Sequence, residues 1–212
     1  MTTPVNFEIV TDTDCPVFAA ALAIYVAAFP AAERHPVDTL RERVADGRSQ
    51  LQIARCDGHV AFMALLWPFV GTGFILLDYL ATAPEFRGRG IASAFMEKMR
   101  KQCVINDTYL IMEVEDPHYG DNSEQRRRRL EFYRHLGARQ LEAVNYVLPP
   151  LQGGHATHML LMLFPGGAED SIRGEVVREL IIRLYAELYG RTQDDPLLSG
   201  VLTQLKPQIN LS

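Results

Sequence analysis

The sequence predicts an α/β fold in which helices flank a central mixed β-sheet and a helical extension follows. Extended and helical patterns alternate along the chain in the order β-α-α-β-β-β-α-β-α-β-β. The segment 74–82 is almost entirely apolar, as expected for a central strand covered on both faces. Beyond residue 166 apolar residues recur at helical spacing, so we expect a main domain over 1–166 and a C-terminal helical extension over 167–212, which packs on the domain or on a partner subunit.

The composition is that of an ordinary globular protein. The chain has 212 residues, of which 48% are apolar and 22% charged, enough for one main domain with a buried core. The net charge of -5 gives no overall attraction to nucleic acid or to an anionic membrane, so neither is an expected partner. The longest apolar run, 17–29, is shorter than the ~20 residues that a membrane span requires.

The cysteines and the N-terminal segment favour a cytoplasmic protein. Cys15, Cys56 and Cys103 are widely spaced and odd in number, which fits neither a disulfide framework nor a zinc motif. Residues 1–6 lack the basic and apolar stretches of a secretory signal. We expect no metal site.

The elements of the first half are predicted from periodicity and from turn residues. The first helix is expected to be capped by Asp12 or Asp14, whose carboxylates can accept from the amides of its first turn. An Asp57-Gly58 turn between two apolar runs favours a hairpin. In chain order we predict a strand at 7–10, a helix ending at Ala27, a helix at 37–45 closed by Gly47, and strands at 51–55, 59–67 and 74–82.

The second half is predicted in the same way. Charged residues alternate with an apolar face over 90–104, which indicates an amphipathic helix. In chain order we then predict a strand at 108–115, a helix at 123–136, strands at 141–148 and 159–164, a helix whose apolar face runs from Ile172 to Leu188, and a shorter helix near 197–205.

A glycine-rich turn between the central strand and the following helix is suited to an anion. Its residues 87–92 read Arg-Gly-Arg-Gly-Ile-Ala. The first amides of the helix point back toward the turn, glycine lets the backbone approach phosphate oxygens, and two arginines add positive charge. The spacing differs from the dinucleotide fingerprint and lacks the Gly-Lys-Ser/Thr ending of a nucleotide-triphosphate loop. A diphosphate is therefore the expected ligand of this turn. The alternative is that the turn only connects the strand to the helix and binds no ligand.

The segment 80–92 resembles the strand, loop and helix signature of the GNAT acyltransferases, whose core pattern is R/Q-x-x-G-x-G/A. A second element of that family, an aromatic pair before x-x-x-Gly, is similar to Phe132-Tyr133-Arg134-His135-Leu136-Gly137. The resemblance covers roughly residues 7–164 and leaves out the C-terminal helices. It implies a splayed central sheet and acetyl-CoA, or another acyl-CoA, as co-substrate. The residues that the resemblance assigns to CoA are Leu80, Ala81 and Thr82 for the pantetheine arm and Arg87, Gly88, Arg89, Gly90, Ile91 and Ala92 for the pyrophosphate.

Two carboxylates are candidate bases for removing a proton from an attacking amine. Glu113 occupies the position of a glutamate that the family often uses as base, and alternation places Glu115 on the same face. Asp78 is the second candidate because a carboxylate in an apolar strand is costly to bury unless it is paired or functional. Each acid could instead accept structural hydrogen bonds.

Tyr133 matches the family tyrosine that contacts the thioester sulfur and stabilises the leaving thiolate. Transfer of its proton from a pKa of ~10 to a thiolate of ~8.5 is uphill, so hydrogen bonding is the larger expected effect. Without the resemblance, Tyr133 would be read as a core tyrosine beside Phe132.

The sequence departs from the family pattern where Arg126 and Arg129 replace the usual Asn and Ala, so no Asn contact to CoA is transferred. The arginine run 126–129 is expected to be a solvated helix face, or to pair with the CoA 3′-phosphate or an acidic acceptor. The loop 29–36, with Glu33 and Arg34, stands where the family's acceptor loop lies, although an ordinary connection explains it equally well. His155 and His158 are read as unrelated polar residues rather than metal ligands.

The expected reaction is transfer of an acetyl group from acetyl-CoA to a primary amine of a small molecule, by direct attack in a ternary complex. Three alternatives stay open: acetylation of a protein or peptide, use of a longer acyl-CoA or an aminoacyl-tRNA, and acyl-CoA binding without catalysis. The C-terminal helices somewhat favour a covered acceptor site, and they could equally mediate a homodimer.

Overall fold

A computed structural model describes residues 5–165 and 170–212. The chain divides into two compact units, which we call the N-terminal unit (Met1–Thr108 with Leu151–Gly154) and the C-terminal unit (Tyr109–Pro150 with His155–Ser212). The predicted domain boundary between residues 166 and 167 lies outside the described residues.

The N-terminal unit contains four strands and three helices whose order agrees with the sequence prediction. The strands β1 (Phe7–Val10), β2 (Gln50–Cys56), β3 (His59–Phe69) and β4 (Phe74–Thr82) form an antiparallel sheet in that order, with Leu51 opposite Leu65 and Ala64 opposite Leu80. The elements are β1 Phe7–Val10, α1 Pro16–Ala28, α2 Val37–Ala45, β2 Gln50–Cys56, β3 His59–Phe69, β4 Phe74–Thr82 and α3 Ile91–Asn106, with short 3₁₀ turns at Ala31–Glu33 and Pro84–Phe86.

Turn chemistry fixes the connections of this unit. Asp57 and Gly58 both have positive φ, 52° and 82°, which confirms a tight hairpin turn between β2 and β3. Gly47, with φ of 77°, follows the end of α2 and donates to the carbonyl of Val44 at 3.2 Å, as expected for a glycine-terminated helix.

The predicted cap of the first helix was wrong. Pro16 takes the first helical position, so the N-cap is Cys15, whose Sγ accepts from the amide of Phe18 at 3.4 Å. The carboxylate of Asp12 instead accepts from the amide of Asp14 at 2.9 Å and closes the turn before the helix.

In the C-terminal unit, the sheet is built around one long strand, β8 (Thr157–Phe164). It pairs antiparallel with β5 (Tyr109–Glu115) on one side and with β6 (Arg139–Gln140) and β7 (Tyr146–Leu148) on the other. A separate antiparallel pair joins β9 to β10. The remaining elements are β5 Tyr109–Glu115, α4 Ser123–His135, β6 Arg139–Gln140, β7 Tyr146–Leu148, β9 Ser171–Arg173, α5 Gly174–Arg183 with a π-helical turn at Leu184–Leu188, α6 Pro196–Thr203 and β10 Gln208–Asn210.

Two predictions for this unit were wrong in detail. The segment 141–148 is not one strand, because Ala143 has φ of 58° and the chain turns before it resumes extended structure at Tyr146. Ile172 lies in β9 opposite Ile209 rather than on a helix, and β10 was not predicted. Local periodicity misses such strands because they are three residues long and pair with distant partners.

The apolar face predicted for the C-terminal helix is confirmed over α5 and the π-helical turn. Val177, Leu180, Ile181, Leu184 and Leu188 are all at most 3% exposed. Leu211 forms an isolated bridge with Leu141, and the amide of Gln140 donates to the carbonyl of Ser212 at 2.7 Å. The extension therefore belongs to the core of the C-terminal unit.

Within residues 5–165 and 170–212, no single helix is both long and apolar enough to cross a membrane, and α1 passes that test only together with the following stretch, from which it is bent by 103°.

Candidate active site

The predicted anion-binding turn stands open at the N-terminus of α3. Gly88 and Gly90 both have φ of 76°, and a Cβ placed on either would meet nothing within 4 Å. The first helical hydrogen bond runs from the amide of Ala94 to the carbonyl of Gly90 at 2.9 Å. The amides of residues 91–93 come before this bond and therefore have no acceptor within the helix. Gly90 is the N-cap and supplies no side-chain acceptor. The turn thus offers backbone donors, helix-dipole charge and room for an oxyanion.

The two arginines of the turn are exposed and held by contacts that a phosphate could replace. Arg87 Nε donates to the carbonyl of Thr82 at 3.2 Å. Arg89 Nη1 lies 3.2 Å from Asp57 Oδ2, and its guanidinium lies 5.0 Å from the centre of the Phe86 ring. The pKa of Arg89 is raised, mainly by its hydrogen bond to Asp57, so its positive charge is secure.

The residues predicted to pair with pantetheine lie at the end of β4. Along one edge of this strand Leu80, Ala81 and Thr82 stand opposite residues of β3 in antiparallel register. Ala81 is buried, whereas Leu80 and Thr82 are partly exposed. The extended backbone of β4 therefore precedes the anion-binding turn, with the short 3₁₀ turn Pro84–Phe86 between them.

Asp78 has a structural partner in the N-terminal unit. Its Oδ2 lies 4.0 Å from Nη1 of Arg43, and both side chains are almost completely buried, 5% and 6% exposed. The Arg43 guanidinium also lies 5.1 Å from the centre of the Trp67 ring. A buried ion pair accounts for a carboxylate in this apolar strand, which favours the structural reading of Asp78 over the catalytic one.

The loop 29–36 is folded against the end of α1. Arg34 Nη1 donates to the carbonyls of Phe29 at 2.7 Å and Val26 at 3.3 Å, so this side chain closes the helix C-terminus. The backbone of His35 donates to Tyr79 and accepts from Tyr25. Burial lowers the pKa of His35 to about 3, and the imidazole is therefore neutral at physiological pH.

The segment Leu151–Gly154 crosses this loop. Gln152 Nε2 donates to the carbonyl of Arg34 at 2.7 Å. Gly154 approaches Ala32 so closely that a Cβ on it would lie 2.8 Å from the Ala32 carbonyl oxygen. The predicted acceptor loop is thus covered by a second piece of chain.

Glu113 lies in the C-terminal unit at the centre of a group of tyrosines. Its Oε1 accepts from the hydroxyl of Tyr146, and its Oε2 accepts from that of Tyr189 at 2.5 Å. Burial raises the pKa of Glu113, and the two hydroxyls act in the opposite direction because they stabilise the carboxylate. A carboxylate with a raised pKa is a stronger base than an ordinary glutamate, and its two hydrogen bonds fix its orientation.

Glu115 is engaged by α4. Its Oε1 lies 3.0 Å from Nη2 of Arg126, and its Oε2 lies 2.7 Å from Nη1 of Arg129. Arg128 pairs with Glu124 at 2.8 Å. Arg126 and Arg129, which replace the family's Asn and Ala, therefore connect β5 to α4. The prediction of a solvated helix face fits the exposed Arg128 better than it fits Arg126.

Tyr133 is buried on α4, with 8% of its surface exposed, and its ring lies edge-on to Phe132 at 5.2 Å. Burial raises its pKa, and the nearby Arg129 acts in the opposite direction. The hydroxyl is therefore a neutral hydrogen-bond donor at physiological pH, as the proposed contact to a thiolate requires.

His155 and His158, which were predicted not to bind a metal, both lie in the C-terminal unit. The ring of His158 stacks on Tyr119 with centroids 4.0 Å apart, and the two line a cavity of about 440 Å³ together with Arg127, Arg134 and Tyr146. Neither Glu113 nor Tyr133 lines this cavity. Across the described part of the chain, three or more metal-ligating side chains do not come together.

Sequence reasoning missed Tyr146, Tyr185 and Tyr189. Tyr146 lies within the segment predicted as a plain strand, and the other two are four residues apart on the apolar side of the extension. Only their aromatic spacing could have pointed to them, and that spacing is also typical of a helix core.

Comparison with known proteins identifies the class. Residues 47–137 match the family model described as "Acetyltransferase (GNAT) domain", and this segment contains every predicted site residue. A search of curated proteins gives no match.

Solved structures share the fold. A GNAT-family protein from Bacteroides thetaiotaomicron is 24% identical, with a TM-score of 0.73 over 88% of this chain and 99% of that one. An aminoglycoside 6′-N-acetyltransferase complexed with coenzyme A is 16% identical, with a TM-score of 0.55 over 74% and 95%. A GNAT acetyltransferase from Elizabethkingia anophelis with acetyl-CoA bound is 12% identical, with a TM-score of 0.50 over 76% and 96%.

The matched domain and the shared fold define an acyl-CoA-dependent N-acyltransferase. Residues 47–137 therefore match a GNAT acetyltransferase domain, and the predicted α/β fold class is confirmed.

Proposed function

We propose that the protein transfers an acetyl group from acetyl-CoA to a primary amine of a small molecule. The observation that carries the proposal is the open turn at Gly88 and Gly90, where the first amides of α3 face space that a pyrophosphate would fill and two exposed arginines flank the turn. Acetyl-CoA or CoA occupies two of the similar structures, which supports the same donor here.

Direct attack needs one proton acceptor and one group that stabilises the leaving thiolate. A base removes one proton from the ammonium, the free amine nitrogen bonds to the thioester carbonyl carbon, and the carbon–sulfur bond breaks. The second proton lost from nitrogen ends on the departing CoA thiolate. Glu113 is the better candidate base because Asp78 lies beside Arg43. Tyr133 supplies the neutral hydroxyl that would donate a hydrogen bond to the thiolate.

The covered loop 29–36 favours a small acceptor over a protein. Protein acceptors require an open groove, whereas Gln152 and Gly154 lie directly on this loop. The aminoglycoside enzyme among the similar structures shows that the fold can serve a small amine.

Binding of the donor is tested by calorimetry on a matched pair of glycine variants. Gly90→Glu places a negative side chain over the turn and should abolish acetyl-CoA binding. Gly71→Glu is the control, because Gly71 also has positive φ, 80°, with open space above it, but lies in the turn between β3 and β4. Equal acetyl-CoA affinity in Gly90→Glu and the wild type would exclude the turn as the pyrophosphate site.

The acceptor is tested by mass spectrometry of a metabolite extract incubated with the protein and isotope-labelled acetyl-CoA. Label in a small amine supports the proposal. Label only in added peptides or proteins would contradict the small-molecule acceptor, and turnover only with longer acyl-CoA would contradict the acetyl donor. Binding of acetyl-CoA without turnover of any amine would indicate a non-catalytic protein.

A further inference from the structure

The strand register places Glu113 and Tyr146 on one side of the C-terminal sheet. Glu115 stands opposite Met159 across β5 and β8, and Met159 stands opposite Tyr146 across β8 and β7. Residues directly opposite in antiparallel strands share a face, and Glu113 shares it with Glu115 because the two are two residues apart. The hydroxyl of Tyr146 therefore reaches Oε1 of Glu113 diagonally across β8.

The second oxygen of Glu113 is reached from the C-terminal extension. Tyr189 follows the π-helical turn Leu184–Leu188, and its hydroxyl donates to Oε2 at 2.5 Å. π-helical turns are rare and occur frequently at functional sites, because the extra residue redirects the side chains that follow. Here the turn lies directly before the tyrosine that contacts the carboxylate.

Tyr185 packs beside Tyr146 and Tyr189, and its hydroxyl does not contact the carboxylate of Glu113. Its hydroxyl donates to the carbonyl of Val147, and its ring lies edge-on to Tyr146 at 5.9 Å and to Tyr189 at 6.2 Å. Its carbonyl accepts from the amide of Arg191 at 2.9 Å, which fixes the chain just after Tyr189.

We propose that Tyr189 is a positioning residue for the general base, so that the C-terminal extension completes the catalytic apparatus of the GNAT domain. The proposal rests on the function proposed above for Glu113. The hydroxyl of Tyr189 donates to the carboxylate, stabilises its ionised form in a partly buried place and fixes the direction in which it accepts a proton.

The electrostatics of the cluster predict the sign of the effect. Glu113 accepts from the hydroxyls of Tyr146 and Tyr189 and shares its sheet face with Glu115, which pairs with Arg126 and Arg129. Tyr185, on which Asp195 and Arg191 act, also interacts electrostatically with Glu113. Burial raises the pKa of Glu113, and each hydroxyl acts against that rise. Removing the Tyr189 hydroxyl therefore raises the pKa further, and the base becomes active only at higher pH.

The test is the pH dependence of kcat for Tyr189→Phe, with Tyr185→Phe as the matched control. Loss of one hydrogen bond to a charged group corresponds to a shift of about one pH unit. We expect the acidic limb of the Tyr189→Phe profile to move upward by that amount, with KM for acetyl-CoA unchanged. In Tyr185→Phe, which loses only the bond to Val147, the limb should stay in place.

An unmoved limb in Tyr189→Phe, or equal shifts in both variants, would overturn the positioning role. A direct titration of glutamate carboxyl carbons by NMR, with Glu113→Gln identifying the signal, gives the same answer without turnover and also reports whether the variants are folded. Failure of the proposed function is distinguishable, because the wild type would then show no amine acetylation while the NMR titration of Glu113 could still be compared between variants.

Discussion

The anion-binding turn and the Glu113 cluster are built in opposite ways. The turn consists of consecutive residues, 87–92, whose polar groups face open space at the end of a helix. The cluster is partly buried and joins Glu113 to residues 33 and 76 positions further along the chain. A binding site for a charged, mobile donor can be local and exposed, whereas a base with a raised pKa needs burial, which only tertiary packing supplies.

This difference separates the effects expected from mutation. Changes in the turn should alter donor affinity and leave the chemical step intact, whereas changes in the cluster should alter turnover and its pH dependence and leave donor affinity intact.

The largest effect is expected for Glu113→Gln. The amide cannot accept the ammonium proton, so kcat should fall by about 10²–10⁴ and the remaining activity should rise toward higher pH, where the amine is already deprotonated. Steady-state kinetics across pH measure this, and calorimetry should show unchanged acetyl-CoA affinity.

Asp78→Asn is the informative companion to that variant. Because Asp78 lies beside Arg43 in a buried pair, the substitution should lower thermal stability while the pH profile of the folded enzyme keeps its form. If Asp78→Asn abolished the acidic limb and Glu113→Gln did not, the assignment of the base would pass to Asp78.

The next effect is expected for Tyr133→Phe. Removing one hydrogen bond to the leaving thiolate should lower kcat by about a hundredfold while acetyl-CoA still binds. Tyr119→Phe is the control, since it keeps the ring stacked on His158 and removes a hydroxyl from the same unit. Full activity of Tyr133→Phe would remove this residue from the mechanism.

The same contrast between local and assembled features explains what the sequence could predict. The turn, the hairpin at Asp57-Gly58 and the helix ending before Gly47 depend on residues adjacent in sequence, and all three have the predicted conformation. The fold class follows because the periodic patterns of the long elements are unambiguous.

The missed features depend on partners that no local pattern reveals. The bridge of Leu141 to Leu211 and the pairing of Ile172 with Ile209 join segments that local periodicity treats separately. Glu113 itself was predicted from family resemblance, but its two tyrosine donors were not, since each resembles a core aromatic until the fold brings it to the carboxylate.

A smaller effect is expected for Arg89→Ala in the turn. Arg89 is exposed and already pairs with Asp57 at 3.2 Å, so its net contribution to phosphate binding is reduced by that competition and by solvent screening. We expect the acetyl-CoA Kd to rise about tenfold at low salt and less at high salt. Arg48→Ala removes the same charge from an exposed pair with Asp46 and should leave Kd unchanged. Equal Kd values for Arg89→Ala and the wild type would show that Arg89 does not contribute to pyrophosphate binding, which would then depend on the backbone amides and Arg87.

The smallest effect on kinetics is expected for Gly154→Ala, in the segment 151–154 that covers the predicted acceptor loop 29–36. In Gly154→Ala the new Cβ would lie 2.8 Å from the Ala32 carbonyl oxygen, so the segment 151–154 must shift away from the loop 29–36. We expect KM for the amine to rise about threefold while the acetyl-CoA Kd stays constant, because a displaced cover misplaces the acceptor but not the donor. Gly153→Ala is the local control for strain within the segment, since its φ of 80° strains the substituted backbone while its Cβ would meet nothing within 4 Å. Equal KM changes in both variants would show that the segment acts only through its general stability, and no change in either would place the acceptor away from this loop.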